Sequence, residues 1–376
     1  MHPSRAEVLP DSSSEEKRPS WLVPTPTRTD EPPADQVKQF LLRLMAGEDL
    51  SREQAAALLS ALLDGKCTDA QIGAALVALA IKGESVEELA GMAEAMRSHS
   101  VRLKTAHRVV LDTAGTGSSS AKIFNVSTAA AFVIAGAGLP VAKHGSRAAT
   151  SRSGSADVLT ALGVKVDTPS SVAESSLAQH GICFMFAPLY HPATARVAQV
   201  RRQLGVHTTF NLLGPLTNPA GAKRQLLGVW HPELLERVAS ALAALGSERA
   251  WVVRGSDGLD EITLAGPTVV YEVEDGWVKR SVVRPSDFGL REASLAELRG
   301  GDPQRNAAII LEVLENRRRD AARDVILLNA GAGLYIGGKA ASLGEAVELA
   351  AATIDSGAAR RKLQELIDVT NAAVPA

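Results

Sequence analysis

The sequence predicts an α/β fold: a small all-helical domain hinged to a larger α/β domain with a mostly parallel sheet. Three observations predict it. Residues 35–100 carry helix-start signals and no strand pattern. After residue 106 short apolar runs alternate with helical runs, the mark of parallel strands joined by crossover helices. Two Gly/Ser-rich loops each lie between such a strand and such a helix.

Taken in order, residues 1–34 are rich in Pro, Ser, Asp and Glu and read as a disordered leader. The helical domain spans 35–103. Three capping boxes punctuate it, Ser51 with Gln54, Thr68 with Gln71 and Ser85 with Glu88. In each, the hydroxyl accepts the N–H three residues on, and the Glu or Gln reaches back. Gly47, Gly65 and Gly83 precede the boxes, where helix C-caps belong. Leu58, Leu62, Leu76 and Leu79 read as core.

The α/β domain spans 104–376. Strands are predicted at 108–111, 140–143, 181–186, 226–230 and 250–254. Helices are predicted at 126–138, 154–162, 170–179, 232–245, 303–318, 320–331, 342–355 and 357–369. Between them, 189–222 begins as a basic helix and ends in a turn-rich apolar segment. It is predicted to cross back to the helical domain, its helices at about 189–215 packing there to form a hinge.

The chain has 376 residues, 45% hydrophobic and 22% charged, so a large core is affordable. A net charge of −2 gives no global reason to bind nucleic acid or an anionic membrane. Arg317, Arg318 and Arg319 lie between Glu315 and Asp320 and read as a solvated helix end. Cys67 and Cys183 are far apart in apolar contexts, two buried free thiols suited to a cytoplasmic protein. No stretch approaches 18 consecutive apolar residues, so no membrane helix is predicted.

The first loop runs from Asp112 to Thr128. Gly115 and Gly117 allow close backbone approach to a ligand. Asn125, Ser127 and Thr128 open the next helix, where side-chain oxygens cap or bind and free N–H groups attract anions. The loop is neither a P-loop nor a dinucleotide fingerprint, since Ser120 occupies the third glycine position and the next strand ends in Lys143. The second loop places Lys143, His144, Arg147 and Arg152 within ten residues. Such cations repel unless an anion or acidic partners neutralise them. Two helix N-termini and these cations aimed at one place suit a polyphosphate ligand. Asp260 and Glu261, in the polar turn after the strand at 250–254, suit Mg²⁺, which takes oxygen ligands and keeps substrate phosphates in its shell. Arg201 and Arg202 stand about 100° apart on their helix, and the sequence alone leaves both as surface residues. Gly331 to Gly337 reads as helix packing or a C-cap. No Ser/His/Asp or Cys/His arrangement stands out among eight histidines, which points to chemistry by positioning and electrostatics.

Eight stretches in order resemble the anthranilate phosphoribosyltransferase family: Gly115–Gly117, Phe124–Thr128, Val141–Gly145, Ser151–Asp157, His191–Pro192, Val200–Gly205, Phe210–Pro219 and Gly258–Glu261. The likeness covers the chain from about residue 36. It implies a homodimer that transfers phosphoribose from phosphoribosyl pyrophosphate to the amine of anthranilate, with Mg²⁺. By this resemblance Gly115, Gly117, Ser118, Ser119, Ile123, Asn125, Val126, Ser127, Thr128, Lys143, His144, Gly145, Arg147, Ser151 and Ser155 hold the donor. Gly115, His144, Ser146 and Arg201 meet anthranilate, with Arg201 on its carboxylate. Ser127, Asp260 and Glu261 bind the metal. The chain departs from the family where Ser118 and Ser119 replace the usual Gly-Asp, Ile123 a threonine and Ser146 an asparagine. Two other readings share parts of this pattern, a pyrimidine nucleoside phosphorylase of the same fold and a non-catalytic nucleic-acid-binding relative. Asp260, Glu261 and Arg201 favour the transferase.

Overall fold

The computed structural model describes residues 33–117, 123–148 and 153–372. Four helices open it: α1 (Pro33–Met45), α2 (Arg52–Leu63), α3 (Asp69–Lys82) and α4 (Val86–Ser98). All three predicted capping boxes form, at the first turns of α2, α3 and α4. Gly47, Gly65 and Gly83 take φ of +74°, +73° and +79°, the left-handed geometry that ends a helix cheaply only at glycine. Glu88 does more than cap. Its carboxylate is fully buried and also accepts Leu50 N–H at 2.9 Å and Lys82 Nζ at 2.7 Å, tying the α1–α2 loop to α4.

Seven strands follow: β1 (Leu111–Gly115), β2 (Val141–Gly145), β3 (Ile182–Phe186), β4 (Arg224–Gly228), β5 (Arg249–Gly255), β6 (Thr268–Glu274) and β7 (Trp277–Val283). Their order is β3-β2-β1-β4-β5-β6-β7. The first five are mutually parallel, and β6 and β7 are antiparallel. The chain winds outward from β1 through β2 to β3, then returns to place β4 on the other side of β1. The order therefore reverses between β1 and β4, and a crevice opens at their carboxyl ends.

The remaining helices are α5 (Val126–Gly136), α6 (Ser155–Ala161), α7 (Ser170–His180), α8 (Ala187–Tyr190), α9 (Ala195–Leu204), α10 (Phe210–Leu216) and α11 (Leu234–Ala244), then α12 (Pro303–Leu314), α13 (Ala321–Ile336), α14 (Leu343–Asp355) and α15 (Ala358–Ala372). On one side of the sheet, α5 and α13 are buried along nearly their whole length. On the other, α9 and α10 join the core of α1–α4 through Val197, Val200, Phe210, Leu213 and Leu216. The 189–222 segment thus does cross back. That core continues through Leu235 and Val238 of α11 to Leu227 and Val252 on the sheet.

Several boundaries differ from expectation. β1 begins three residues later than predicted and runs to Gly115, so Asp112–Gly115 is strand and not loop. β2 likewise continues through His144 and Gly145. Helix 320–331 extends to Ile336. Gly331 and Gly333 sit inside it where a Cβ would come within 2.8 Å of Val347 and 2.5 Å of Ile134, so the glycines serve packing. Helix 303–318 stops at Leu314. Arg317, Arg318 and Arg319 follow it and pair with Glu315, with Glu312 and Asp320, and with Asp355. The β6–β7 hairpin has no counterpart in the sequence reading, although Asp275-Gly276 between alternating residues is a strong hairpin signal. Cys67 and Cys183 are buried and free. Among the described residues no helix is long and apolar enough to cross a membrane.

Candidate active site

The turn after β5 folds back over the carboxyl ends of β1 and β4, at the crevice where strand order reverses. Two glycines admit it. A Cβ on Gly228 would lie 1.6 Å from the Asp260 carbonyl oxygen, and one on Gly115 3.1 Å from Asp260 Oδ2. Asp260 Oδ2 accepts the Gly117 N–H at 3.0 Å, and Glu261 Oε1 accepts the Ser127 N–H at 3.2 Å, in the first turn of α5. Beneath them Lys143, buried, donates to the Thr113 carbonyl, to Thr113 Oγ1 at 3.3 Å and to Ser127 Oγ at 3.4 Å. The two predicted groups, the first loop and the acidic turn, are therefore one constellation.

Its electrostatics are short of positive charge. Burial and the neighbouring Asp260 push Glu261 up to about 8, and burial raises Asp260 as well. Burial pushes the Lys143 amine down, against the pull of Asp112 and Glu261. Two adjacent carboxylates facing one such amine favour a further cation. The donors present, Asp260, Glu261 and the Ser127 hydroxyl, are all oxygen, the set that Mg²⁺ takes. Among the described residues no cluster of three or more His, Cys, Asp or Glu forms a closed cage. An ion here would complete its shell with water and ligand oxygens, so the residues fit Mg²⁺.

In the second loop an acidic partner meets one of the described cations. Arg147 pairs with Asp157 at 3.1 Å, and Asp157 also accepts the N–H groups of Ala148 and Gly154, each at 2.9 Å. His144 is neutral, and Lys143 is turned under β1. Arg152, Ser118, Ser119 and Ser151 lie outside the described residues.

Asn125, read from the sequence as a residue that caps α5 or binds, makes no side-chain capping bond. It ties the loops together instead: Nδ2 donates to the Ser153 carbonyl at 3.1 Å, and Oδ1 accepts from Ser153 Oγ and Asn306 Nδ2, both at 3.0 Å. Ile123 bridges to Arg299. Val126 and Thr128 are buried, the Thr128 hydroxyl without a partner. Gly145 lies so near Ser155 that a Cβ would meet its Oγ at 2.1 Å, whereas Ser146 is exposed.

The other end of the site is organised by α10. The Gly214 carbonyl faces His144 Nδ1 at 3.2 Å, which assigns the proton to Nδ1 and leaves Nε2 an acceptor, buried and without a partner. His191 packs edge-on against this ring, centroids 5.1 Å apart, with both nitrogens buried and unpartnered. Burial lowers His144 to about 3 and His191 to about 4, so both are neutral at pH 7.

Arg201 donates from Nη2 to Asn211 Oδ1 at 3.0 Å and lies 5.5 Å from the Phe210 ring centre, its Nε buried and unpartnered. Burial lowers its pKa, and among the described residues it has no carboxylate partner. Arg202 is exposed. The structure thus turns inward the arginine that the resemblance puts on the acceptor, and leaves Arg202, which the residues alone did not separate from it, in solvent. Sequence reasoning missed His191 as a site residue, as well as Asn211 and Asn329. His191 stands in the His191–Pro192 stretch, but its burial against His144 depends on contacts across 47 residues of chain.

Residues 107–360 match the family model described as glycosyl transferase family, a/b domain, and residues 38–100 that of the glycosyl transferase family, helical bundle domain. The anthranilate phosphoribosyltransferase of Pelotomaculum thermopropionicum is 50% identical over 334 residues, 89% of this chain and 96% of the relative. That of Anaeromyxobacter dehalogenans is 50% identical over 340 residues, 90% of this chain and 100% of the relative. Among solved structures, anthranilate phosphoribosyltransferase from Thermus thermophilus superimposes with a TM-score of 0.84 at 42% identity, covering 90% of this chain and 99% of that one. The Saccharomyces cerevisiae enzyme in complex with PRPP and Mg gives 0.82 at 30% identity, covering 90% and 98%. With the carboxylate turn, the buried lysine and an arginine that meets no carboxylate among the described residues on one scaffold, this chain belongs to the anthranilate phosphoribosyltransferase family.

Proposed function

We propose that the chain transfers the phosphoribosyl group of phosphoribosyl pyrophosphate to the amine of anthranilate, giving N-(5-phosphoribosyl)anthranilate and pyrophosphate in tryptophan biosynthesis. The observation that carries this is the division of the site into two chemically different ends. One end has Asp260, Glu261, Lys143 and the first turn of α5. The other has a half-buried arginine with no acid of its own among the described residues and two neutral imidazoles. A polyphosphate sugar suits the first, and a small aromatic carboxylate the second.

The donor's pyrophosphate lies along Gly115, Gly117, Asn125, Ser127, Thr128 and Lys143. Asp260, Glu261 and Ser127 hold Mg²⁺, which when bound neutralises pyrophosphate charge as the bond at ribose C1 breaks. Lys143 and the N–H groups opening α5 add fixed positive potential where the leaving group gains charge. Arg201 receives the anthranilate carboxylate on its planar fork. The arylamine is uncharged near pH 7 and attacks with its lone pair, so a catalytic dyad is not needed. The helical domain, residues 35–103 with α9 and α10, moves as a unit to close the two ends on each other. The chain acts as a cytoplasmic homodimer. Support for association comes from α3, which leaves Ile81 82% exposed beside Val77, and from Met45 at the end of α1.

Loss of anthranilate fluorescence tests the activity. The expected result is loss that requires both phosphoribosyl pyrophosphate and Mg²⁺. No loss with both present, together with phosphorolysis of thymidine or uridine, overturns the reading.

A further inference from the structure

We propose that Asn211 is a positioning residue for the acceptor: its uncharged amide aims the Arg201 guanidinium while leaving that charge unspent for an incoming carboxylate. This rests on the reading that Arg201 meets the anthranilate carboxylate.

Asn211 sits in the first turn of α10. Its Oδ1 accepts two bonds at once, from Arg201 Nη2 at 3.0 Å and from the Thr208 N–H at 3.0 Å. The backbone bond fixes the amide, and the amide fixes the arginine. Phe210, the preceding residue, packs its ring 5.5 Å from the same guanidinium. Two adjacent residues of one helix therefore hold Arg201 by a neutral acceptor and by an aromatic face. Neither neutralises it.

Several arginines that bridge elements find carboxylates, as Arg52 reaches Glu94, Arg249 reaches Glu272 and Arg323 reaches Asp355, while Arg97 reaches the Leu216 carbonyl; at Arg201 the neutral acceptor is a side chain. Aspartate has the shape of asparagine and would accept both bonds that Asn211 accepts. It would also form an ion pair, stronger than the neutral bond by the usual margin of charge-assisted contacts. The two side chains differ in charge and in the Nδ2 donor that aspartate lacks, and it is the absent charge that keeps an internal carboxylate from occupying the fork. One turn further along α10, the Gly214 carbonyl holds His144, so the same helix also orients the imidazole at this end.

The geometry makes a prediction with a sign. Asn211→Asp supplies an internal competitor for the substrate carboxylate, so the KM for anthranilate should rise at least about tenfold, the equivalent of about 1.4 kcal/mol. The KM for phosphoribosyl pyrophosphate should stay within about twofold, and Tm should not fall. Asn211→Ala removes the aim without adding charge, so its anthranilate KM should rise less than that of the aspartate variant. A folded Asn211→Asp enzyme with an unchanged anthranilate KM overturns the proposal, as do equal effects of the alanine and aspartate variants. Arg201→Ala separates the two readings. If it raises the anthranilate KM while Asn211→Asp does not, only the role of Asn211 falls. If Arg201→Ala leaves that KM unchanged, the assignment of Arg201 falls first, and the proposal with it.

Discussion

A single buried asparagine fixes the acidic turn. Asn329, in the middle of α13 and fully buried, accepts the Ile262 N–H on Oδ1 at 3.0 Å and donates from Nδ2 to the Ile262 and Val325 carbonyls, each at 2.9 Å. Every polar atom of the amide except one lone pair is used, and both sides of Ile262 are clamped directly after Glu261. Asn329→Asp turns the donor facing the Ile262 carbonyl into an acceptor and adds negative charge behind the carboxylates. It should raise the Mg²⁺ concentration for half-maximal donor binding several-fold and cost about 2 kcal/mol in stability. Calorimetric titration of donor with Mg²⁺ and urea unfolding would check both. Replacing Asp260 and Glu261 by Asn and Gln should lower kcat and the dependence on Mg²⁺ with little loss of fold, because the two side chains accept bonds that their amides also accept. Full activity and unchanged Mg²⁺ dependence in that variant would remove the metal assignment.

Elements meet here through glycines that no pattern in the sequence distinguishes from turn glycines. At Gly91 in α4 a Cβ would lie 2.0 Å from the Arg52 carbonyl oxygen, so α4 touches the start of α2 through bare backbone. Gly91→Ala should force α2 and α4 apart and destabilise by about 1–3 kcal/mol, read by urea unfolding. Gly228 is different. A Cβ there would strike the Asp260 carbonyl, so Gly228→Ala should displace the acidic turn and lose activity out of proportion to stability. Equal loss of both would argue that the glycine serves only packing. The capping boxes at Ser51, Thr68 and Ser85 were legible because a cap involves residues three apart. The end of β1 was not. Asp112 and Thr113 look like loop residues, yet both are fully buried. Asp112 receives the His144 N–H from the neighbouring strand, and Thr113 receives Lys143. Strand pairing, and not composition, draws them into the sheet.

At the scale of the molecule, two buried imidazoles tie stability to pH. His144 and His191 are held neutral in the fold, down to about 3 and 4, whereas an unfolded histidine titrates near 6.5. The unfolded chain therefore gains protons first as pH falls. The stability each histidine confers is complete above about 6.5 and is lost on acidification towards its folded value. Between pH 7.5 and 5 the loss is about 2 kcal/mol for each. His191→Phe keeps an aromatic ring against His144 and removes one of the two groups. Urea unfolding at both pH values should show wild type losing about 2 kcal/mol more than the variant, groups common to both cancelling in the difference. Equal losses would mean that His191 is charged or solvated in the fold.

The sequence by itself determined the class of the fold, the helical bundle with its caps, the strand-loop-helix rhythm and the identities of the two loops, the acidic turn and the arginine pair. These are properties of neighbouring residues, and local chemistry specifies them. Only the tertiary structure decided which arginine turns inward, that Asp260 and Glu261 close over Gly117 and Ser127, that Arg147 pairs with Asp157, and that α10 serves both Arg201 and His144. Each of these joins groups distant in sequence or turned to one side of a helix. Their distances and burial are set by the reversal of strand order between β1 and β4 and by the crossing of α9 and α10 to the helical core.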